Sequence, residues 1–431
     1  MSVIDKAVLR RADRGHLQAV LSTFSGRPSG AWLGPGHPAA KGVLPNTWQR
    51  VRGLPPGQVV EALAVAAPNH CIDAWGFTAR TLGALLAGDA HSARHLAYYA
   101  QLRSALSILA HVGVGLFNRI NFAVDSGGAI HRLDPANQLG THQAVWAALK
   151  EWVSMPTTAQ TFFEMVRIRG TNLKDSIELI WPGVAVSSVS KMLMASWGVD
   201  LKRGKAEHAF RNESSYAPQL PNPIGMVPAE MLSFVDGMWR HLEPAGGGSF
   251  DSLDRYLVRL IFQEQHFAMT GDRNYVHGPI GLRYEQLPQA IQGMASRDFL
   301  CGIDEPNSPE LFQRAANARG GALEMAARAV LLCRIATAFT QTNFTEAGVV
   351  MGSGALRPWL NELAEIRGFW PPNAPLADPV ELWADVELAL LDLDVSRDPT
   401  PVCLNDWLIK SAKGLPILAE AERVGVWSLA S

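Results

Sequence analysis

Between His91 and Gly113 apolar side chains return every three or four positions: Tyr98, Leu102, Ala105, Leu106 and Leu109 fall on one helix face. Val145, Leu149 and Val153 repeat the spacing after Thr141, a plausible N-cap, up to a stop at Pro156. A chain patterned in this way buries its apolar surface by packing helices together. At 431 residues, 48% hydrophobic and 18% charged, it is too long for one ordinary core and too apolar for disorder, so two or three domains are expected.

The fold class expected is mostly α. Residues 21–88 are rich in Gly and Pro, with apolar residues in short bursts, and read as part of an irregular N-terminal region, 1–88. A helical domain follows over 89–226, interrupted by a short hairpin around Ser126-Gly127-Gly128. Further helices are expected at 158–169, 171–180 and 186–197. Prolines in PQLPNPIGMVP mark a domain edge. A C-terminal helical domain, 227–431, then holds helices near 228–242, 250–269, 321–342, 355–366, 379–393 and 404–425.

With 38 Lys+Arg against 40 Asp+Glu, the whole chain exerts no strong pull on nucleic acid or an acidic membrane, so any basic site must be local. The charged N-terminus is unlike a secretory signal. The most apolar stretches, 177–189 and 326–339, are shorter than the roughly 20 residues that span a bilayer and carry Pro182, or Arg328 and Arg334. Cys71, Cys301, Cys333 and Cys403 are widely spaced without a CxxC pair. The expectation is a cytoplasmic protein with no membrane partner and no cofactor.

Phosphate-loop, dinucleotide, zinc-protease and serine-hydrolase motifs are absent. Gly34–Gly42 has its lysine misplaced, and Gly352-Ser-Gly354 lacks the elbow spacing. His91 and His95 share a helix face but have no adjacent third ligand, so no metal is expected there. Trp146, Trp152, Trp181, Trp197 and Trp239 fit core packing better than a base-stacking platform.

The densest polar cluster runs from Lys202 to Tyr216. On a helix His208 would neighbour Arg211, and Arg211 would neighbour Ser215. RNA cleavage without a metal needs a proton acceptor, a proton donor and a fixed cation, roles open to His208, Tyr216 and Arg211. Lys202, Arg203, Lys205 and Arg211 supply cations for a phosphate backbone.

Arg211-Asn212-Glu-Ser-Ser-Tyr216 resembles the R-N-x-x-x-H signature of HEPN domains, with tyrosine in the histidine position. His95–Leu106 and Thr141–Trp146 are similar to the opening of that fold, and the arrangement resembles YaaC-like bacterial proteins. The resemblance spans about residues 90–225 and implies a central HEPN-like helical bundle. It also implies an effector in bacterial antiphage defence or a toxin-like system that binds RNA or cleaves it without a metal, with Arg211, Asn212, Tyr216 and His208 at the site. Two modules facing each other across an oligomer interface are implied as well. A phenol with a reference pKa of about 10 donates a proton but is a poor base at neutral pH, so reduced or no turnover is expected. The alternative is a non-catalytic scaffold or recognition subunit of a larger complex, in which Arg211 and Asn212 tie helices together.

A second cluster, Gly271-Asp-Arg273-Asn-Tyr-Val-His277-Gly-Pro279, reads as a turn, with Arg273 and His277 as secondary nucleic-acid contacts. Asn118–Asn121 and His131-Arg132 are expected at the surface.

Overall fold

The computed structural model describes residues 4–26, 44–117, 119–134, 139–180, 190, 194, 229–246, 249–272, 283–317, 320–350, 357–396 and 403–430. These residues are mostly helical. The N-terminal part contains α1 (Lys6–Arg10), α2 (Gly15–Ser22), α3 (Trp48–Arg52), α4 (Pro56–Leu86) and α5 (Ala90–His111). A three-stranded antiparallel sheet follows, β1 (Val114–Phe117), β2 (Ile120–Val124) and β3 (Ile130–Arg132), in that order. Next come α6 (Thr141–Trp152), α7 (Pro156–Met165), the two-stranded β4 (Arg167–Ile168) and β5 (Thr171–Asn172), and α8 (Leu173–Ile180).

Beyond residue 228 lie α9 (Ala229–Leu242), α10 (Asp251–Thr270), the single turns α11 (Gln289–Gln292) and α12 (Arg297–Leu300), α13 (Glu310–Ala316) and α14 (Ala322–Glu346). The chain continues through α15 (Arg357–Arg367), α16 (Leu382–Ser396), α17 (Leu404–Lys410), α18 (Leu415–Leu418) and α19 (Glu422–Ala430).

The centre is the trio α4, α5 and α14, which pack on one another. Residues 56–86, expected to be irregular, form the longest described helix. Twenty of its 31 residues are buried, so no polar stripe marks a helical period in the sequence. Its proline at 56 sits in the first turn, where a missing N–H costs nothing. In α14, 21 of 25 residues are buried. Alanines and hydroxyl residues line the contacts. Thr78, Ser104, Thr337 and Thr340 hydroxyls each donate to the carbonyl four residues back, which satisfies them inside the core. Trp75 Nε1 donates to Thr337 Oγ1 at 3.0 Å and Ser107 Oγ to Ala67 O at 2.8 Å, so polar bonds pin α4 to both neighbours.

One hydrophobic cluster takes residues from α1 to α19, including Trp75, Trp152, Trp239, Trp407 and Trp427, all nearly inaccessible. Each large aromatic buries about 150–250 Å², on the order of 4–6 kcal/mol of transfer free energy. Trp146, Trp152 and Trp239 are core residues, as their pattern implied; Trp181 and Trp197 lie outside the described residues.

Local departures have identifiable causes. Gly140, not Thr141, caps α6, and Pro156 opens α7 as well as following the end of α6. The helix expected over 158–169 ends at Met165, because Val166 is extended and Arg169 and Gly170 both take positive φ. The final helix expected over 404–425 is broken into α17, α18 and the start of α19. The turn Ser126-Gly127-Gly128 does join two strands, with Asp125 Oδ1 accepting from Gly127 N and Ala129 N. Asn121, expected at the surface, is fully buried and donates to Asp134 Oδ2 and Leu139 O.

Candidate functional site

Lys202, Arg203, Lys205, His208, Arg211, Asn212, Tyr216, Arg273 and His277 all lie outside the described residues. The site that the described residues do form lies elsewhere. It is a half-open cavity of about 600 Å³ walled by Arg167, Arg169, Asp254 and Arg334, with Gly246, Ser249 and Phe250 at one side and Gln341, Thr342 and Thr345 at another. Its volume is that of an ordinary small-ligand site.

Three elements converge on it. The first is the β4–β5 hairpin, with Arg167 on the strand and Arg169 in the turn that follows it, both at the cavity wall. Arg169 and Gly170 have φ of +47° and +80°, the signs of a two-residue I′ turn. Glycine or asparagine is favoured at the first of these places. An arginine there is in a sparsely populated conformation, which costs of order 1–2 kcal/mol. The strain buys a guanidinium over the cavity.

The second element is the start of α10. Its 20 residues point their positive dipole end at the cavity, and Gly246 precedes it across the Ala245–Ser249 bridge. A Cβ built on Gly246 meets nothing within 4 Å. The third is the C-terminal half of α14, which brings Arg334, Gln341, Thr342 and Thr345 to the wall and places the negative dipole end of that helix beside it.

Every arginine of the cavity has a carboxylate partner, and the partners differ in kind. Arg334 Nε and Nη2 donate to both oxygens of Asp254 at 3.0 and 2.7 Å, with the two side chains only 4% and 1% exposed. Burial pushes the Asp254 carboxyl up and the guanidinium pulls it back; because both oxygens accept, the ionised form is the one this geometry holds. Arg334 also donates to Arg167 O and lies over the Phe250 ring. Its Nη1 is buried without a hydrogen-bond partner, as is Arg167 Nε.

The other two pairs reach solvent. Arg169 donates through Nε and Nη2 to Asp251, the first residue of α10, and this bond holds its guanidinium above the ordinary range. Ser249 Oγ steadies the same carboxylate at 2.9 Å. Arg167 Nη2 donates to Glu346 Oε1 at 2.8 Å, while Arg14 and Gln18 donate to Glu346 Oε2. Behind this clasp Asn343 Nδ2 donates to His111 O and faces His111 Nδ1, and His111 Nε2 meets Thr340 Oγ1 at 2.9 Å. Burial pushes the His111 ring down to about 3, so it stands neutral, with Nδ1 accepting and Nε2 donating.

Arg328, the other arginine of the apolar run 326–339, does a different job. It donates to Ala315 O and Asn317 O at the end of α13, serving carbonyls left without helical partners. Two sequence signals pointed to the cavity. Arg334 stood in an apolar run, where a charge needs a partner, and Arg169-Gly170, at the end of the helix expected over 158–169, set an arginine before a glycine able to form a tight turn. Neither signal says where the partner carboxylates stand.

Among the described residues no three His, Cys, Asp or Glu side chains gather as a metal site, and no helix is long and apolar enough to cross a membrane. No family model, curated protein or solved structure matches the chain.

Proposed function

We propose that the protein is a receptor for a small anion, bound in the arginine-walled cavity. The observation that carries this reading is Arg169, an arginine kept at a left-handed turn position beside two further arginines on separate contacts of one cavity. Guanidinium forks and a helix N-terminus are donor types that recognise oxyanions, while the Thr342 hydroxyl is already given to Met165 O. The carboxylates that balance these arginines weigh against a long polyanion track, which needs uncompensated cations.

Calorimetric titration of the full chain with phosphate, acetate, citrate and AMP, repeated with Arg169→Asn, tests the reading. Saturable binding of at least one anion that weakens tenfold or more in the variant is expected. An absence of anion binding, or equal binding by the variant, refutes it.

The RNA-effector reading, HEPN-like and acting through Arg211, Asn212, Tyr216 and His208, is a separate proposal supported by the sequence pattern at 202–216. Incubation with single-stranded RNA in EDTA, compared with Arg211→Ala, decides it: cleavage lost in the variant supports it, and equal or absent cleavage removes it.

A further inference from the structure

The two kinds of ion pair around the cavity differ in how readily they exchange. Arg334 and Asp254 are sealed from water, and separating them would strand two buried charges. Arg169 is 36% exposed with Asp251 at 19%, and Arg167 is 34% exposed with Glu346 at 28%; separating pairs that reach water in this way costs less than separating the buried one. Asp251 has Ser249, and Glu346 has Arg14 and Gln18, as further partners when they give up a cavity arginine, whereas Asp254 has no exposed face to turn to. An entering anion therefore meets two guanidinium groups that can change partner and one that is fixed.

We propose that the ligand of this cavity is a phosphate monoester that binds by exchange, taking Arg169 from Asp251 and Arg167 from Glu346 above the fixed Arg334–Asp254 floor. The inference rests on the anion-receptor reading and narrows it. A ligand that displaces two carboxylates must itself offer about two charges and more than two acceptor oxygens. A phosphate monoester at neutral pH carries roughly −1.5 to −2 charge and three strong acceptors, while a single carboxylate replaces only one partner. The N-terminal end of α10 adds to the same attraction, and the C-terminal turn of α14 at Thr345 works against it, so the guanidinium groups carry the recognition. A cavity of about 600 Å³ is larger than a bare phosphate requires, which leaves room for the organic part of the ester. No covalent bond is made or broken in this step; Asp251 stays hydrogen-bonded to Ser249, and Glu346 to Arg14 and Gln18.

Exchange has a signature that simple loss of a cation lacks. Because Asp251 competes with the ligand for Arg169, Asp251→Asn should tighten binding, and Glu346→Gln should do so through Arg167. The experiment is calorimetric titration of the full chain and of Asp251→Asn, Glu346→Gln and Arg169→Asn with AMP, ribose 5-phosphate, inorganic phosphate, adenosine and acetate. A further arm uses a short RNA with and without a 5′-phosphate. The expected result is binding of AMP and ribose 5-phosphate, at least tenfold weaker binding of adenosine and acetate, and several-fold tighter AMP binding in Asp251→Asn.

Gain of affinity cannot come from misfolding, so that variant keeps the test decisive if Arg169→Asn is damaged. Acetate binding as tightly as AMP, or unchanged or weaker AMP binding in Asp251→Asn, overturns the exchange. Binding of the 5′-phosphorylated RNA without binding of AMP overturns the small-ligand assignment. Binding of acetate with none of the phosphates overturns this inference while leaving the anion-receptor reading standing; absence of all anion binding removes both.

Discussion

Replacing Asp254 by asparagine removes one negative charge and leaves the cavity floor almost unchanged in shape. Arg334 then loses its counter-charge and one of two hydrogen bonds, now at 3.0 and 2.7 Å, in a place where only 4% of its side chain meets solvent. Breaking a buried pair from one side costs about 3–5 kcal/mol, because the remaining charge is neither hydrated nor neutralised. Its remaining bond to Arg167 O and its position over Phe250 do not replace a charge. Removing both partners is different. Asp254→Leu with Arg334→Met leaves no stranded ion, and paired apolar replacements of buried ions are often near neutral.

The expectation is therefore a loss of about 3–5 kcal/mol for Asp254→Asn, with the double variant within about 2 kcal/mol of the parent. Urea unfolding followed by tryptophan fluorescence, extrapolated to water, measures Asp254→Asn together with the parent, Asp254→Leu, Arg334→Met and their double variant, which form the cycle. A loss below about 1 kcal/mol in Asp254→Asn, or a double variant whose cost equals the sum of the single changes, would refute the account of a sealed, mutually dependent pair.

Arg169→Asn should leave stability within about 1 kcal/mol of the parent, because relief of a left-handed arginine offsets the loss of an exposed ion pair; urea midpoints check this alongside anion titration. His111 is held neutral with its value pushed down to about 3, below its unfolded value near 6.5. The stability it contributes is thus present above pH 6.5 and is lost as pH falls from there toward 3, by up to about 1.4 kcal/mol per pH unit. His70, pushed down to about 3 by burial and by Arg103, adds a second proton to the same window. The slope of unfolding free energy between pH 6.5 and 5 should fall by about one proton in His111→Gln, and an unchanged slope would disprove the neutral-ring assignment. Gly113→Ala should cost about 2 kcal/mol or more, because φ is +87° and a Cβ there would sit 2.4 Å from Asp13 O; thermal unfolding of the variant measures it.

The sequence alone determined the helical class and several of its elements. The three-and-four spacing of Tyr98, Leu102, Ala105, Leu106 and Leu109 encodes α5, and the glycines at 127 and 128 encode the turn between β2 and β3, because both signals act over a few neighbouring residues. Tertiary structure decided α4, whose burial on nearly all sides erases the polar stripe by which a helix is recognised. It also decided the cavity. Arg169 and Asp251 are 82 positions apart and Arg334 and Asp254 are 80 apart, and no local pattern records which carboxylate will face which arginine. Backbone propensity is written residue by residue, but charge pairing depends on which helices come to rest side by side. The chemistry of the cavity therefore exists only once α10, α14 and the β4–β5 turn have met.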